Sequence, residues 1–137
     1  GLGYCTMYGD MCGSLAVISD LNKSQVYSLS NWINKNQSFF IIPKGTLTKS
    51  PSAELAPNQV DPFDYEIVSP IIDSIIDGSV ILESHSLSNV DSTLVNDLFE
   101  KVKKSEYKRK QAAPGIRISK KAFGIGRRFP IINKYNN

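Results

Sequence analysis

Apolar residues recur at helical spacing in three segments of this chain, and these segments most limit what it can fold into. The first predicts a helix over Lys23–Lys35, capped by Asn22, with Trp32 as its main core anchor. The second predicts a helix from about Tyr65 to Ile76, in which Pro70 either kinks the helix or starts its main part.

The third segment predicts a helix that is capped by Asp91 and ends in lysines, which complement the negative end of the helix dipole. Its predicted buried face consists of Leu94, Val95, Leu98, Phe99 and Val102. Ser105 then caps a further turn over residues 106–110. This face and the isoleucine stripe of the second helix form the predicted core.

Glycine, proline and serine are frequent between these segments, which favours loops. Ser38–Pro43 predicts either a brief buried strand or an extended connector. Residues 45–61 predict a loop, and residues 116–119 alternate as a short edge strand would. We therefore expect mostly α-helices and loops.

Charge is distributed very unevenly along the chain. Residues 1–100 contain 4 Lys/Arg against 12 Asp/Glu, whereas residues 101–137 contain 12 Lys/Arg against 1 Asp/Glu. The basic tail, residues 104–137, could attract nucleic acid, phosphate-bearing ligands or an acidic protein surface. The sign of the charge alone leaves all three open.

The two cysteines, Cys5 and Cys12, offer neither a disulfide framework nor the roughly four ligands of a zinc site. We expect both to be reduced and packed against apolar neighbours in a cytoplasmic protein. No apolar run approaches the roughly 20 residues that span a bilayer, so no membrane partner is expected. The single histidine, His85, is assigned no role.

The opening stretch, residues 1–23, resembles a ligand site more than a core element. Its glycines allow the backbone to come close to a ligand, and its aromatic rings can stack on one. Asp10 can accept a hydrogen bond, and Lys23 places a cation at the start of a helix. The residues concerned are Gly3, Gly9, Gly13, Tyr4 and Tyr8. This mixture suits a nucleotide better than a metal. By position alone, Lys23 is better interpreted as a solvated surface lysine, because most lysines are exposed.

Three segments of the sequence resemble the NAD+ synthetases, ATP pyrophosphatases that amidate nicotinic acid adenine dinucleotide. They read, in order, GYCTMYGDMCGSLAVISDLNK from Gly3, LTKSPSAELAPNQVD from Leu47 and SEYKRKQAAPG from Ser105. A fourth segment, AFGIGRRFPI from Ala122, is similar to the tail of the glutamine-dependent branch. Met7, where many ammonia-only members carry lysine, favours the same branch.

The resemblance implies that residues 1–137 are the C-terminal portion of the synthetase domain. The implied parent is an α/β protein of the adenine-nucleotide-hydrolase-like, N-type ATP pyrophosphatase fold. The implied reaction has two steps: Mg-ATP adenylates the nicotinate carboxylate, and ammonia then displaces AMP.

The resemblance also implies which residues bind the substrates. Lys23, Lys49 and Ser52 would contact ATP phosphates, although from the residues alone the loop carrying Lys49 and Ser52 is only a surface loop. The dinucleotide residues would be Tyr4, which would stack on the nicotinate side, together with Asp10, Tyr107 and Lys108. Thr6 is a further candidate.

The remaining implications concern parts that this chain lacks. The family's first phosphate loop is absent, and its Mg2+ carboxylate would precede Gly1, so we expect no metal ligand and no activity from residues 1–137 alone. A glutamine amidase domain upstream and a homo-oligomer are the implied partners.

Two other functions remain open at this point. The basic tail could make the chain a nucleic-acid-binding module, although no recognisable nucleic-acid fold motif is present. Exposed apolar helix faces could instead make it an oligomerisation segment.

Overall fold

The computed structural model describes residues 1–52, 54, 56–78 and 91–132. The helices run, in chain order, α1 Lys23–Lys35, α2 Lys44–Thr48, α3 Tyr65–Asp77, α4 Ser92–Lys104 and α5 Glu106–Arg109. Within the described residues, β pairing is limited to the isolated bridges Ala16–Gly115 and Phe123–Arg127. The prediction of mostly helices and loops is confirmed.

The chain divides into two compact units. The first unit comprises Gly1–Asp20 and the chain from Pro70 onward, and the second unit comprises Leu21–Ser69. Within the described ranges, no helix is both long and apolar enough to cross a membrane.

Helix α1 begins and ends where the sequence predicts. The Asn22 side chain accepts a hydrogen bond from the Gln25 amide at 2.8 Å, and the Gln25 side chain accepts one from the Asn22 amide at 2.9 Å. The prediction for Trp32 is wrong, because this residue is 61% exposed. A unit of roughly 50 residues has too little apolar material to cover every large side chain.

The connector after α1 is not a buried strand. Phe39 and Phe40 are exposed, and the chain is held instead by Asn34, which bonds the backbone of Ile41 and Ile42. The predicted loop over residues 45–61 is also corrected at its start, since helix α2 occupies Lys44–Thr48.

Helix α3 contains Pro70 in its interior, and the predicted isoleucine stripe is confirmed as core. Ile71 and Ile75 are each 1% exposed and Val68 is 4% exposed. The helix ends before Gly78, whose φ of 81° is favourable only for glycine.

Helix α4 is capped by Asp91, which accepts the Thr93 amide at 2.9 Å as predicted. Its face buries Leu98 and Val102 completely, and Phe99 packs edge-on against Phe129 at 5.9 Å. The turn after it, α5, also forms. Ser105 precedes α5 without capping it, because its hydroxyl donates to the Lys101 carbonyl at 2.6 Å.

The predicted strand at residues 116–119 does not form. The amides of Ile118 and Ser119 both donate to the Asp20 carboxylate at 2.7 Å, so they are unavailable to a neighbouring strand. Both cysteines are free, as expected, but Cys12 is exposed instead of packed. His85 lies outside the described residues.

Candidate functional site

A cavity of about 700 Å3 lies within the first unit. The opening stretch forms one wall, and the basic tail, which includes α5, forms the others. Its charged lining consists of Asp10, Asp20, Glu106, Lys108, Arg109, Lys110, Arg117 and Arg128. A volume of this size is ordinary for a site that binds a small organic molecule.

A second, smaller cleft of about 340 Å3 adjoins this cavity. Tyr4 and Tyr107 line it, with 58% and 41% of their surface exposed. Gly3, Ser105 and Lys108 line both depressions, so the two are continuous along one wall. The four predicted dinucleotide residues, about 100 positions apart in sequence, are therefore brought together.

Lys108 is held in place by the opening stretch. Its ammonium donates to the Gly3 carbonyl at 2.7 Å and to the Cys5 carbonyl at 2.8 Å. Because an ammonium has three donors, these bonds leave one for a ligand. Gly3 makes the approach possible: it has a φ of +83°, and a Cβ there would overlap the Ser105 hydroxyl.

The Asp10 carboxylate stabilises the turn on which it lies. It accepts the Thr6 amide, while the Thr6 carbonyl accepts the Gly9 amide at 3.2 Å. Tyr8 has a φ of 61° in this turn and donates its hydroxyl to Gln111 at 2.8 Å. Asp10 thus faces the cavity with one carboxylate oxygen already bonded.

A buried ion pair that the sequence analysis missed fixes α5 against the opening stretch. Glu106 is 2% exposed and accepts two bonds from Arg109, at 2.9 and 3.1 Å. The same guanidinium donates to the Gly1 carbonyl at 2.6 Å and stacks over the Phe123 ring at 4.4 Å. The i, i+3 spacing of the acid and the base was the available signal.

Burial of this pair also shifts the pKa of its guanidinium. It lowers the pKa of Arg109, and the hydrogen bond and negative charge of Glu106 oppose that shift. Removal of Glu106 would leave the guanidinium buried without its counter-ion.

Asp20 joins the opening stretch to the basic tail. Besides the two backbone amides, it accepts the Ser119 hydroxyl at 2.9 Å. Burial raises the pKa of Asp20, but the hydrogen bonds from Ser119 and Ile118 and the nearby Arg117 charge outweigh this effect. The pKa therefore lies below its ordinary value of 3.8.

The predicted phosphate residues all lie in the second unit. The Lys23 ammonium, at the start of α1, is 5.8 Å from the centre of the Tyr65 ring and 5.9 Å from that of Tyr27. These contacts hold a cation beside a helix N-terminus, where backbone amides favour an anion.

Lys49 and Ser52 both contact Glu54. Lys49 forms an exposed ion pair with the Glu54 carboxylate, and the Ser52 hydroxyl oxygen accepts the Glu54 amide at 3.0 Å. The Ser52 hydroxyl proton thus remains able to donate. Among the described residues, no hydrogen bond, ion pair or ring contact joins Lys23 to this pair.

The described ranges contain no cluster of three or more His, Cys, Asp or Glu side chains that could hold a metal ion. No residue of this chain is assigned to a metal.

Comparison with known proteins matches the chain to one family. A sequence model of that family, described as NAD synthase, matches residues 1–112. The glutamine-dependent NAD(+) synthetase of Synechocystis is 41% identical over 98% of this chain, and that of Thermotoga maritima is 41% identical over 97%. In each case the chain spans about a quarter, 24%, of the relative's length.

Among solved structures, the chain is similar to glutamine-dependent NAD+ synthetase from Acinetobacter baumannii in complex with adenosine diphosphate. The identity is 32% and the TM-score is 0.48, over 98% of this chain and 24% of that one.

Proposed function

The chain belongs to the NAD synthase family, and from this membership we propose that the full-length protein carrying it converts nicotinic acid adenine dinucleotide to NAD+. ATP supplies the energy, and glutamine supplies the ammonia. The relatives named glutamine-dependent NAD(+) synthetase support the choice of nitrogen source.

The proposed reaction has two steps at the nicotinate carboxyl group, and each step forms one bond and breaks one. A carboxylate oxygen attacks the α-phosphorus of ATP, and pyrophosphate leaves. Ammonia then attacks the carbonyl carbon, and AMP leaves with the oxygen that made the attack. Because charge moves onto pyrophosphate and AMP, positioned cations and hydroxyls contribute more than a nucleophilic side chain.

The observation that carries this proposal is the convergence of the four dinucleotide residues in the first unit. Lys108 is preorganised by two carbonyls and directs its remaining donor to an anionic ligand atom. Asp10 accepts from a ligand hydroxyl, and Tyr4 and Tyr107 offer aromatic faces. A dinucleotide has all three features: anionic phosphates, ribose hydroxyls and flat rings.

In the second unit, we assign Lys23, Lys49 and Ser52 to ATP phosphates. Lys23 adds a charge to the amides at the start of α1, and Ser52 adds a hydroxyl donor. Lys49 would exchange its exposed Glu54 partner for a phosphate, at little cost because an exposed ion pair is weak.

Other parts of the proposal extend beyond the described residues. We propose the adenine-nucleotide-hydrolase-like α/β fold for the whole synthetase domain, an amidase domain elsewhere in the same protein, a homo-oligomer and a cytoplasmic location. Mg2+ accompanies ATP as its counter-ion, and no step is assigned to a metal ligand of this chain. Residues 1–137 alone are expected to be inactive.

An isotope experiment tests the reaction directly. The full-length protein is given nicotinic acid adenine dinucleotide labelled with oxygen-18 in its carboxylate, together with Mg-ATP and either glutamine or ammonium. The proposal predicts NAD+, pyrophosphate and AMP carrying one labelled oxygen. Labelled inorganic phosphate with ADP would mean activation through the γ-phosphate and would contradict the proposed route, and no NAD+ with either nitrogen source would contradict the function.

A further inference from the structure

We infer that Lys104 is an additional substrate-binding residue, which pairs with the carboxylate of the nicotinate ring and so distinguishes the acid substrate from the amide product. The inference rests on the proposed function and names a residue that neither the family resemblance nor the comparisons assign. Lys104 is the last residue of α4, and its side chain lines the smaller cleft together with Tyr4 and Tyr107.

Three lysines line this cleft, and they differ in whether the side chain already has a partner. Lys101 is paired with Asp97 one helical turn earlier, and Lys108 is fixed by the carbonyls of Gly3 and Cys5. The Lys104 side chain makes no hydrogen bond, ion pair or cation–π contact within the part of the chain that the structure describes. Lys104 is exposed as a residue, and its side chain is therefore available to a ligand.

The residues that line the cleft match one part of the dinucleotide better than its other parts. Adenine is flat but uncharged, so it would use the tyrosines and leave Lys104 without a partner. The phosphates are charged but carry no ring, so they would use the lysines alone. The nicotinate ring combines a carboxylate with a cationic ring nitrogen, which suits an ammonium beside two tyrosine faces.

This pairing has a consequence for turnover. Amidation removes the negative charge from the ring substituent, so the ion pair with Lys104 is lost when the product forms. The cleft then holds NAD+ less tightly than the acid, and product release becomes easier.

Two substitutions at equivalent positions test the inference in the full-length protein. Lys104→Gln removes the charge at the end of α4, and Lys35→Gln does the same at the end of α1, a helix of the same 13-residue length. Calorimetric binding of nicotinic acid adenine dinucleotide and of NAD+ is measured for both variants, together with KM and kcat for any variant that turns over.

We expect Lys104→Gln to weaken binding of the acid about tenfold, the usual scale for one charge-assisted contact, and to change NAD+ binding less than twofold. The KM for the acid should rise in parallel, with the KM for ATP and kcat little changed. Lys104→Arg should restore most of the acid affinity, and Lys35→Gln should match the wild type.

Unchanged acid affinity in Lys104→Gln would overturn the inference, and an equal loss for the acid and NAD+ would overturn the assignment to the carboxylate. Both outcomes can occur in an enzyme that makes NAD+, which would leave the proposed function intact. Because the binding measurement needs no turnover, it also decides the question if the wild type proves inactive.

Discussion

At the scale of single residues, the first unit depends on side chains that bond the backbone of distant segments. Arg109 reaches the carbonyls of Gly1 and Val102, and Lys108 reaches those of Gly3 and Cys5. These contacts place the opening stretch against α5. The geometry of the candidate dinucleotide site therefore depends on two adjacent cations with different environments.

Glu106→Gln should destabilise this region strongly, because it leaves the Arg109 guanidinium buried without its counter-ion. We expect the free energy of opening around α4 and α5 to fall by about 3 kcal/mol. Native-state hydrogen exchange of the α4 amides measures this quantity without requiring two-state unfolding of a large protein.

The matched control is Glu54→Gln, which breaks an ion pair whose side chains are 62% and 63% exposed. An exposed pair contributes about 0–1 kcal/mol, so this variant should exchange nearly as the wild type does. Similar small effects from both substitutions would contradict the importance of the buried pair.

Asp20 gives a prediction about pH. Because its pKa is lowered in the folded protein, its contribution to stability is fully present above the ordinary value of 3.8 and is lost as the pH falls through the lowered value. Protection of the Ile118 and Ser119 amides should therefore exceed that in Asp20→Asn at neutral pH. The difference should diminish only below about pH 3.8.

Hydrogen exchange of these two amides, compared between the wild type and Asp20→Asn across this range, checks the prediction. A difference that already disappears between pH 5 and 7 would mean that another group holds the tail.

At the scale of elements, the sequence predicts the helices well because their signals are local. The capping box at Asn22, the cap at Asp91 and the isoleucine stripe of α3 all lie within a few residues of the structure that they determine. One of the failures involves partners far away in sequence. Residues 118 and 119 bond an acid 98 and 99 positions earlier, which no local pattern contains.

Helix α3 allows a test of its core face with two isoleucines. Ile75 is 1% exposed and Ile67 is 51% exposed on the same helix. Ile75→Ala should lower the opening free energy of α3 by about 2–5 kcal/mol, since it removes buried methyl groups and leaves a cavity. Hydrogen exchange of the α3 amides is the measurement.

Ile67→Ala serves as the control and should cost less than about 1 kcal/mol, because little apolar surface is lost there. Equal costs for the two substitutions would show that the helix is not packed on the predicted face.

At the scale of the whole molecule, the charge asymmetry has a structural counterpart. Several cations of the basic tail make contacts within the first unit: Arg109 stacks on Phe123, Arg127 lies 4.8 Å from the centre of the Phe129 ring, and Arg117 donates to backbone carbonyls. These contacts hold part of the tail in place, while Lys110, Lys120 and Arg128 are exposed. The nucleic-acid alternative therefore stays a prediction.

The candidate site was predicted only in part. The family resemblance implied Tyr4, Asp10, Tyr107 and Lys108, and the structure brings them to adjoining depressions. The Glu106–Arg109 pair and the bonds of Asp20 went unrecognised. The i, i+3 spacing of Glu106 and Arg109 indicates a pair but not its burial, and the partners of Asp20 lie 98 and 99 positions away. The prediction for Trp32 was wrong for a different reason. Helical spacing shows which face of a helix is apolar, but it does not show whether a core covers that face.

The central claim is that the two units bind different substrates, ATP in the second unit and the acid dinucleotide in the first. The most direct test is steady-state kinetics of NAD+ formation by the full-length protein with Lys23→Gln and Lys108→Gln. The account predicts that Lys23→Gln raises the KM for ATP about tenfold, and that Lys108→Gln raises the KM for the dinucleotide by a similar factor, each with little effect on the other substrate. Equal effects of both substitutions on both KM values, or no effect of either, would contradict it.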